Sequence, residues 1–196
     1  MVRAKPDTEL GALHAALGRS LVGQQRAKTG ILLAILAREH AYLEGPPGSG
    51  KTLLAEHAAS LCGATHSVIR FHRDTREQEL LGDAVLSRSR TPGADGERLA
   101  RRLFGGPFRE AAVVVLDDMS RAPGEALAPL LRILSSRELA GKALPLETAI
   151  TTALPPGQEL YADPLEPSQL DRFAVQVRIP GLLYAADWTR ARRALA

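Results

Sequence analysis

Eight residues, Gly45-Pro46-Pro47-Gly48-Ser49-Gly50-Lys51-Thr52, constrain the fold of this chain more than any other segment. They match G-x-x-x-x-G-K-[ST], a spacing whose glycines let successive backbone N–H groups turn inward around an anion. Lys51 then supplies a cation for the outer phosphates and Thr52 a hydroxyl for Mg²⁺. A Gly/Pro turn carrying a chance lysine would not need the flanks that this one has. Ala41-Tyr42-Leu43 reads as a short buried strand before the loop, and Leu53 to Ala59 as a helix after it. The helix N-terminus adds its partial positive charge to the nest. Pro47, Gly48, Ser49, Gly50, Lys51, Thr52 and Leu53 are therefore candidate nucleotide-binding residues.

The rest of the chain suits a three-layer α/β core. Apolar residues at helical spacing run from Leu10 to Leu21 and end near Gly18. Gln25 to Glu39 reads as an amphipathic helix with Ile31, Leu32, Ile35 and Leu36 on one side. Strands are expected at 67–71, 111–116, 147–152 and 174–179, with a helix over 126–134. Ala111 to Leu116 is wholly apolar, as befits a central strand buried on both faces. Strands alternating with helices predict a five-stranded, mostly parallel sheet. Residues 74–108 give no clear pattern beyond breaks at 91–96 and 105–107. At 196 residues, one domain is expected, divided into a helical leader (1–20), a core (21–181) and a short C-terminal helix (182–196).

Composition narrows the setting. No apolar run approaches the ~20 residues of a bilayer-spanning helix, and the first residues lack a signal-peptide core. One cysteine, Cys62, suits a reducing compartment and core packing, so a cytoplasmic protein is expected. The net charge of +3 is modest and comes almost wholly from arginine. Arg88, Arg90, Arg98, Arg101 and Arg102 make a solvated basic face the expectation; no aromatics interleave to stack bases, so nucleic acid is not an expected partner.

The strand at 113–116 ends in Asp117-Asp118. A carboxylate at the carboxyl edge of a buried strand beside a phosphate loop is Walker B logic. Asp117 would hold Mg²⁺, which prefers oxygen ligands. Asp118 would polarise an attacking water.

With these residues placed, Val22-Gly23-Gln24, Leu43 to Thr52, Leu80-Leu81-Gly82, Asp117 to Pro123 and Gln169-Leu170-Asp171-Arg172-Phe173 stand in the order seen in AAA+ ATPases. The chain resembles the MoxR branch over roughly residues 20–180. The resemblance implies ATP or ADP with Mg²⁺ as cofactor. It places Val22 and Gly23 beside the adenine and makes Arg172 an arginine finger acting on a neighbouring subunit. It also implies an oligomer, homo- or heteromeric, a hexameric ring in that family, often with a partner carrying a von Willebrand A domain, in chaperone-like or metal-insertion work.

Three departures qualify it. Asp118 stands where the family has Glu, one methylene longer. Thr152-Ala153-Leu154 replaces Thr-Gln-Asn, and leucine cannot hydrogen-bond a water or phosphate; Thr151 or Thr152 would substitute only with a register shift. The helical lid is reduced to Asp187 to Arg193. Binding elements intact and hydrolytic elements altered lead to the expectation of an ATPase with slow turnover, the catalytic set being Lys51, Asp118 and Arg172. The alternative is a non-hydrolysing regulatory module that lends Arg172 to a partner subunit. A small-molecule kinase would need neither the Val-Gly-Gln nor the Asp-Arg-Phe block.

Overall fold

The computed structural model describes residues 6–89, 98–104, 106–156 and 165–180. In chain order the elements are α1 (Pro6–Ser20), α2 (Gln25–Ala37), β1 (Ala41–Glu44), α3 (Lys51–Leu61), β2 (His66–Arg70), α4 (Glu77–Leu81), β3 (Asp83–Ser89) and β4 (Arg98–Phe104). There follow β5 (Val113–Asp117), α5 (Gly124–Ser136), β6 (Glu138–Leu139), β7 (Lys142–Ala143), β8 (Thr148–Ala153), α6 (Pro167–Leu170) and β9 (Val175–Arg178), with 3₁₀ turns at Pro107–Arg109 and Met119–Arg121.

Five strands form the main sheet in the order β2-β5-β8-β1-β9, and every pairing in it is parallel. Parallel strands need crossovers, and helices supply them, so both faces are covered. Side chains alternate between the two faces. Val114, Leu116, Tyr42, Ala149 and Ala153 join Leu130, Ile133 and Leu134 of α5, with Phe108, Met119 and Phe173, in one core. Val113, Val115, Ala41, Leu43 and Ile150 join α1, α2 and α3 through Leu17, Ile31, Leu32, Leu54 and Ala58 in the other. The result is the expected three-layer α/β architecture. Gly30 of α2 faces β9 so closely that a Cβ there would lie 2.9 Å from a Val177 methyl.

His40 ties the layers where β1 begins. Its Nε2 donates to the Leu134 carbonyl of α5 at 2.8 Å, and its Nδ1 accepts from the Ala149 N–H of β8 at 3.0 Å. That pairing fixes the neutral tautomer. Burial pushes the imidazole below its usual range, with the Leu134 carbonyl opposing.

Several sequence expectations are corrected. Leu36 is 56% exposed, as Leu33 is 46% exposed, so the buried face of α2 is carried by Ala27, Lys28, Gly30, Ile31, Leu32 and Ala34. The first helix continues past Gly18 to Ser20. The unpatterned stretch contains an antiparallel ribbon, β3–β4, separate from the main sheet. After α5 the chain forms a small β6–β7 hairpin. The C-terminal helix expected at 182–196 lies outside the described residues.

Candidate functional site

The phosphate loop leaves β1 and enters α3, and its glycines have different jobs. Gly48 (φ 72°) and Gly50 (φ 78°) take left-handed backbone that L side chains resist. Gly45 is required by proximity: a Cβ there would lie 2.8 Å from the Ile179 carbonyl oxygen and 3.1 Å from the Ile179 Cβ. The segment before α2 braces the loop from outside. Gln24, itself at φ 55°, donates its side-chain amide to the Ser49 carbonyl. Leu21 presses on Gly50, and the fully buried Lys28 holds the Leu21 carbonyl through its Nζ at 2.6 Å. Burial lowers the Lys28 ammonium below its ordinary range.

A cavity of about 340 Å³ opens at the carboxyl ends of β1 and β5, lined by Pro47, Gly48, Gly50, Lys51, Thr52, Leu53, Asp117, Asp118, Arg121 and Leu154. Lys51 is 6% exposed and donates to the carbonyls of Gly45 (2.8 Å) and Pro46 (2.9 Å). Burial lowers its affinity for a proton, while the negative charges of Asp118 and then Asp117 oppose that shift. An ammonium so desolvated gains much from an anionic ligand.

Asp117 is the hub. Its Oδ1 accepts from Thr52 Oγ1 at 2.5 Å and from Thr152 Oγ1 at 2.7 Å. Arg70, at the end of β2, sets its Nε 3.8 Å from Asp117 Oδ2 and its guanidinium 3.7 Å from Glu56 of α3. Asp118 turns the chain out of the strand with φ 55° and ψ 44°. Its N–H is held by Thr152 Oγ1 at 3.0 Å, and its carboxylate meets Arg121 Nε at 3.7 Å. Thr152 therefore reaches both aspartates but does not line the cavity, while Leu154 contributes only apolar wall, its N–H resting on Ser120 Oγ at 3.5 Å.

The donor set suits a nucleoside triphosphate with Mg²⁺. Positive-φ glycines shape a nest, a desolvated ammonium faces it, and a hydroxyl and a carboxylate, Thr52 and Asp117, meet as hard oxygen ligands. The buried Ser49 hydroxyl, with no hydrogen-bond partner among the described residues, sits in the same loop. Bound there, the metal would supply charge neutralisation between phosphates.

The sequence-derived set divides in space. Pro47, Gly48, Gly50, Lys51, Thr52, Leu53, Asp117 and Asp118 converge on the cavity. Ser49 is buried and does not line it. Val22 and Gly23 stand beside the loop through their neighbours Leu21 and Gln24 but do not line the cavity. Arg172 belongs to a different place: a groove of about 540 Å³ between α5 and α6, with Leu131, Ser135 and Ser168. There its Nε donates to Ser135 Oγ (3.0 Å) and its NH1 to the Ser168 carbonyl (2.7 Å). Three contributors were given no role from sequence: Gln24 and Arg121, which stand inside quoted blocks, and Arg70. Only Arg121 carried a local signal, three residues beyond Asp118.

Comparison with known proteins agrees with this geometry. Residues 40–152 match the AAA domain (dynein-related subfamily). The chain is 28% identical over 165 residues to the chaperone MoxR1 of Mycobacterium tuberculosis, covering 82% of this chain and 41% of that one. It is 28% identical over 123 residues to the MoxR protein of Methylorubrum extorquens, covering 63% and 34%. The chain thus spans less than half the length of these two relatives. Among solved structures, a putative ATPase from Cytophaga hutchinsonii superposes with a TM-score of 0.69 at 23% identity, over 96% of this chain and 56% of that one. NtrX from Brucella abortus in complex with ADP superposes with a TM-score of 0.56 at 19% identity, over 83% and 37%. The family match spans more than half of the chain, which belongs to the AAA domain family, dynein-related subfamily.

Proposed function

We propose that this AAA domain binds ATP with Mg²⁺ in the cavity at the carboxyl ends of β1, β8 and β5, hydrolyses it slowly, and works within an oligomer as a chaperone-like remodelling or assembly subunit. The observation that carries the reading is the convergence of Lys51, Thr52, Asp117 and Asp118 on one cavity beside a glycine nest. Each has a role set by its chemistry. Lys51 would leave the loop carbonyls for the outer phosphates. Thr52 and Asp117 would hold Mg²⁺, and Asp118 would orient the attacking water. Thr152 holds the backbone N–H of Asp118 and one carboxylate oxygen of Asp117, so one hydroxyl anchors both residues.

Slow turnover follows from two features of the lining. Asp118 is one methylene shorter than glutamate, and a catalytic group misplaced by ~1 Å costs on the order of a hundredfold. Leu154 offers nothing to a water or phosphate. The same features favour, as a second reading, a non-hydrolysing module whose Arg172 serves a neighbour. Arg172 lies outside its own chain's cavity, on the α5–α6 groove, which supports action across an interface in either case. A homo- or hetero-oligomer, a ring by resemblance, and a von Willebrand A domain partner belong to this proposal, as does a cytoplasmic setting. Among the described residues no helix is long and apolar enough to cross a membrane.

Calorimetric titration of ATP–Mg²⁺ and ADP tests the site. Wild type binds both; Lys51→Ala weakens both by several kcal/mol, because a charge-assisted contact to phosphate is lost. Equal affinity in the two proteins would overturn the assignment.

A further inference from the structure

Among the described residues that line the cavity, Arg121 is the one cation besides Lys51, and the roles given so far leave it unused. Its backbone is anchored. The 3₁₀ turn closes through Arg121 N–H to the Asp118 carbonyl (2.9 Å) and Ala122 N–H to the Met119 carbonyl (3.0 Å). The two residues before it, Met119 and Ser120, are 1% and 4% exposed. The side chain swings from a fixed base into the cavity wall. In this structure it faces Asp118, with Nε 3.7 Å from Oδ2 and the two side chains 39% and 34% exposed. At 3.7 Å the Nε–Oδ2 approach is longer than a hydrogen bond, and both side chains keep part of their surface in water, which screens the attraction. A terminal phosphate carries more charge and more acceptor oxygens than one carboxylate, and a guanidinium spreads several donors over such a group.

Resting on the ATP reading above, we infer that Arg121 exchanges between two anions, the Asp118 carboxylate and the γ-phosphate of a nucleoside triphosphate, so that the cavity itself tells ATP from ADP. The exchange has two effects. Affinity for the triphosphate gains a contact that the diphosphate cannot make, which is the differential interaction that any such discrimination requires. Asp118 is released from its cationic partner in the same event, which frees its carboxylate to hold a water only when a γ-phosphate is in place. Charge balance points the same way. The lining sets Lys51 and Arg121 against Asp117 and Asp118. Removing Arg121 would leave Lys51 in the lining and Arg70 beside Asp117 as the nearby cations, so less positive charge would meet the most highly charged form of the ligand.

The test is calorimetry with a non-hydrolysable ATP analogue and with ADP, both with Mg²⁺, on wild type, Arg121→Gln, Arg121→Lys, Asp118→Asn, the Asp118→Asn/Arg121→Gln double variant and Lys51→Ala. Arg121→Gln is expected to weaken the triphosphate about tenfold, the equivalent of one charge-assisted hydrogen bond, and to change ADP less than about twofold. Arg121→Lys, which keeps a charge but not the fork, falls between. Asp118→Asn removes the competing anion, so it tightens the triphosphate when Arg121 is present and does not do so in the double variant. An unchanged ratio of triphosphate to diphosphate affinity in Arg121→Gln, with a thermal melt matching wild type, overturns the inference. So does an equal gain from Asp118→Asn in both backgrounds. Lys51→Ala separates this from the parent reading: if it binds both nucleotides like wild type, the nucleotide site itself is wrong.

Discussion

Thr151 and Thr152 are neighbours on β8, both wholly buried, and they should respond oppositely to the same substitution. Strand alternation sends Thr152 to the face shared with α3 and the phosphate loop, and Thr151 to the face under α5. Thr152→Val keeps the shape and deletes two hydrogen bonds, the donation to Asp117 Oδ1 at 2.7 Å and the acceptance from Asp118 N–H at 3.0 Å. The first is charge-assisted and worth roughly 1.5–3 kcal/mol; the second leaves a backbone donor unpaired, at roughly 1–3 kcal/mol. Taking the low half of each range, Thr152→Val should cost about 3 kcal/mol. The Thr151 hydroxyl has no hydrogen-bond partner among the described residues. Thr151→Val removes a buried polar group that gains nothing, and should stabilise by about 1 kcal/mol. Urea unfolding of nucleotide-free protein measures both. With a slope of about 2 kcal/mol per molar, the midpoints should move about 1.5 M down and about 0.5 M up. Equal losses in the two variants would refute the reasoning, because packing of the strand rather than the aspartate network would then be setting the cost.

Asp118→Glu should raise the steady-state ATPase rate, read by a coupled phosphate assay; a rate below wild type counts against carboxylate reach as the limit. Arg172→Ala should leave nucleotide affinity unchanged and lower assembly-dependent hydrolysis, and mixing it with Lys51→Ala subunits should restore activity; no recovery while both still assemble rules out action in trans. His40 predicts acid sensitivity. Its folded-state pKa is lowered by burial beneath the ordinary 6.5, so below about pH 6.5 the unfolded chain takes up a proton that the folded chain refuses. Stability is therefore lost as pH falls from about 7 toward that lowered pKa, and protonated Nδ1 would also confront the Ala149 N–H. The fall between pH 7.5 and 5.5 should be shallower in His40→Gln, measured by urea midpoints; parallel profiles would exclude His40 as the cause.

What the sequence made legible was what local pattern encodes. The phosphate loop needs its glycines at fixed spacing, and β5 announces itself through an uninterrupted apolar run. β8 was harder, since three of its six residues are threonines, yet Thr148, Thr151 and Thr152 are all wholly buried; burial there is decided by the strand's central place, not by its own polarity. The β3–β4 ribbon was invisible because its strands pair with each other rather than with the main sheet and their sequences, DAVLSRS and RLARRLF, show no regular apolar alternation. Leu36 misled because α2 is apolar on two sides and only packing against β9 and α3 chooses between them. Gln24 and Arg70 were missed for a common reason: their partners, the Ser49 carbonyl and the Asp117 and Glu56 carboxylates, are brought close only by the fold, and nothing in a linear pattern marks a donor for an acceptor so far along the chain.

The crowding of Ile179 against Gly45 makes the end of β9 a mechanical joint. The Ile179 N–H holds the Glu44 carbonyl at 2.6 Å, its own carbonyl fills the space a Gly45 side chain would need, and one strand residue earlier Arg178 grips Glu44 at 2.8 Å. Pro180 follows and stiffens the exit by fixing its own φ. Force applied to the chain beyond this joint would therefore be delivered to the first residue of the phosphate loop, with little slack between. In the opposite direction, a loop that shifts as phosphate arrives or leaves would tilt whatever the chain carries onward. Lengthening the joint by one glycine after Ile179 would uncouple the two while leaving every phosphate-contacting group in place.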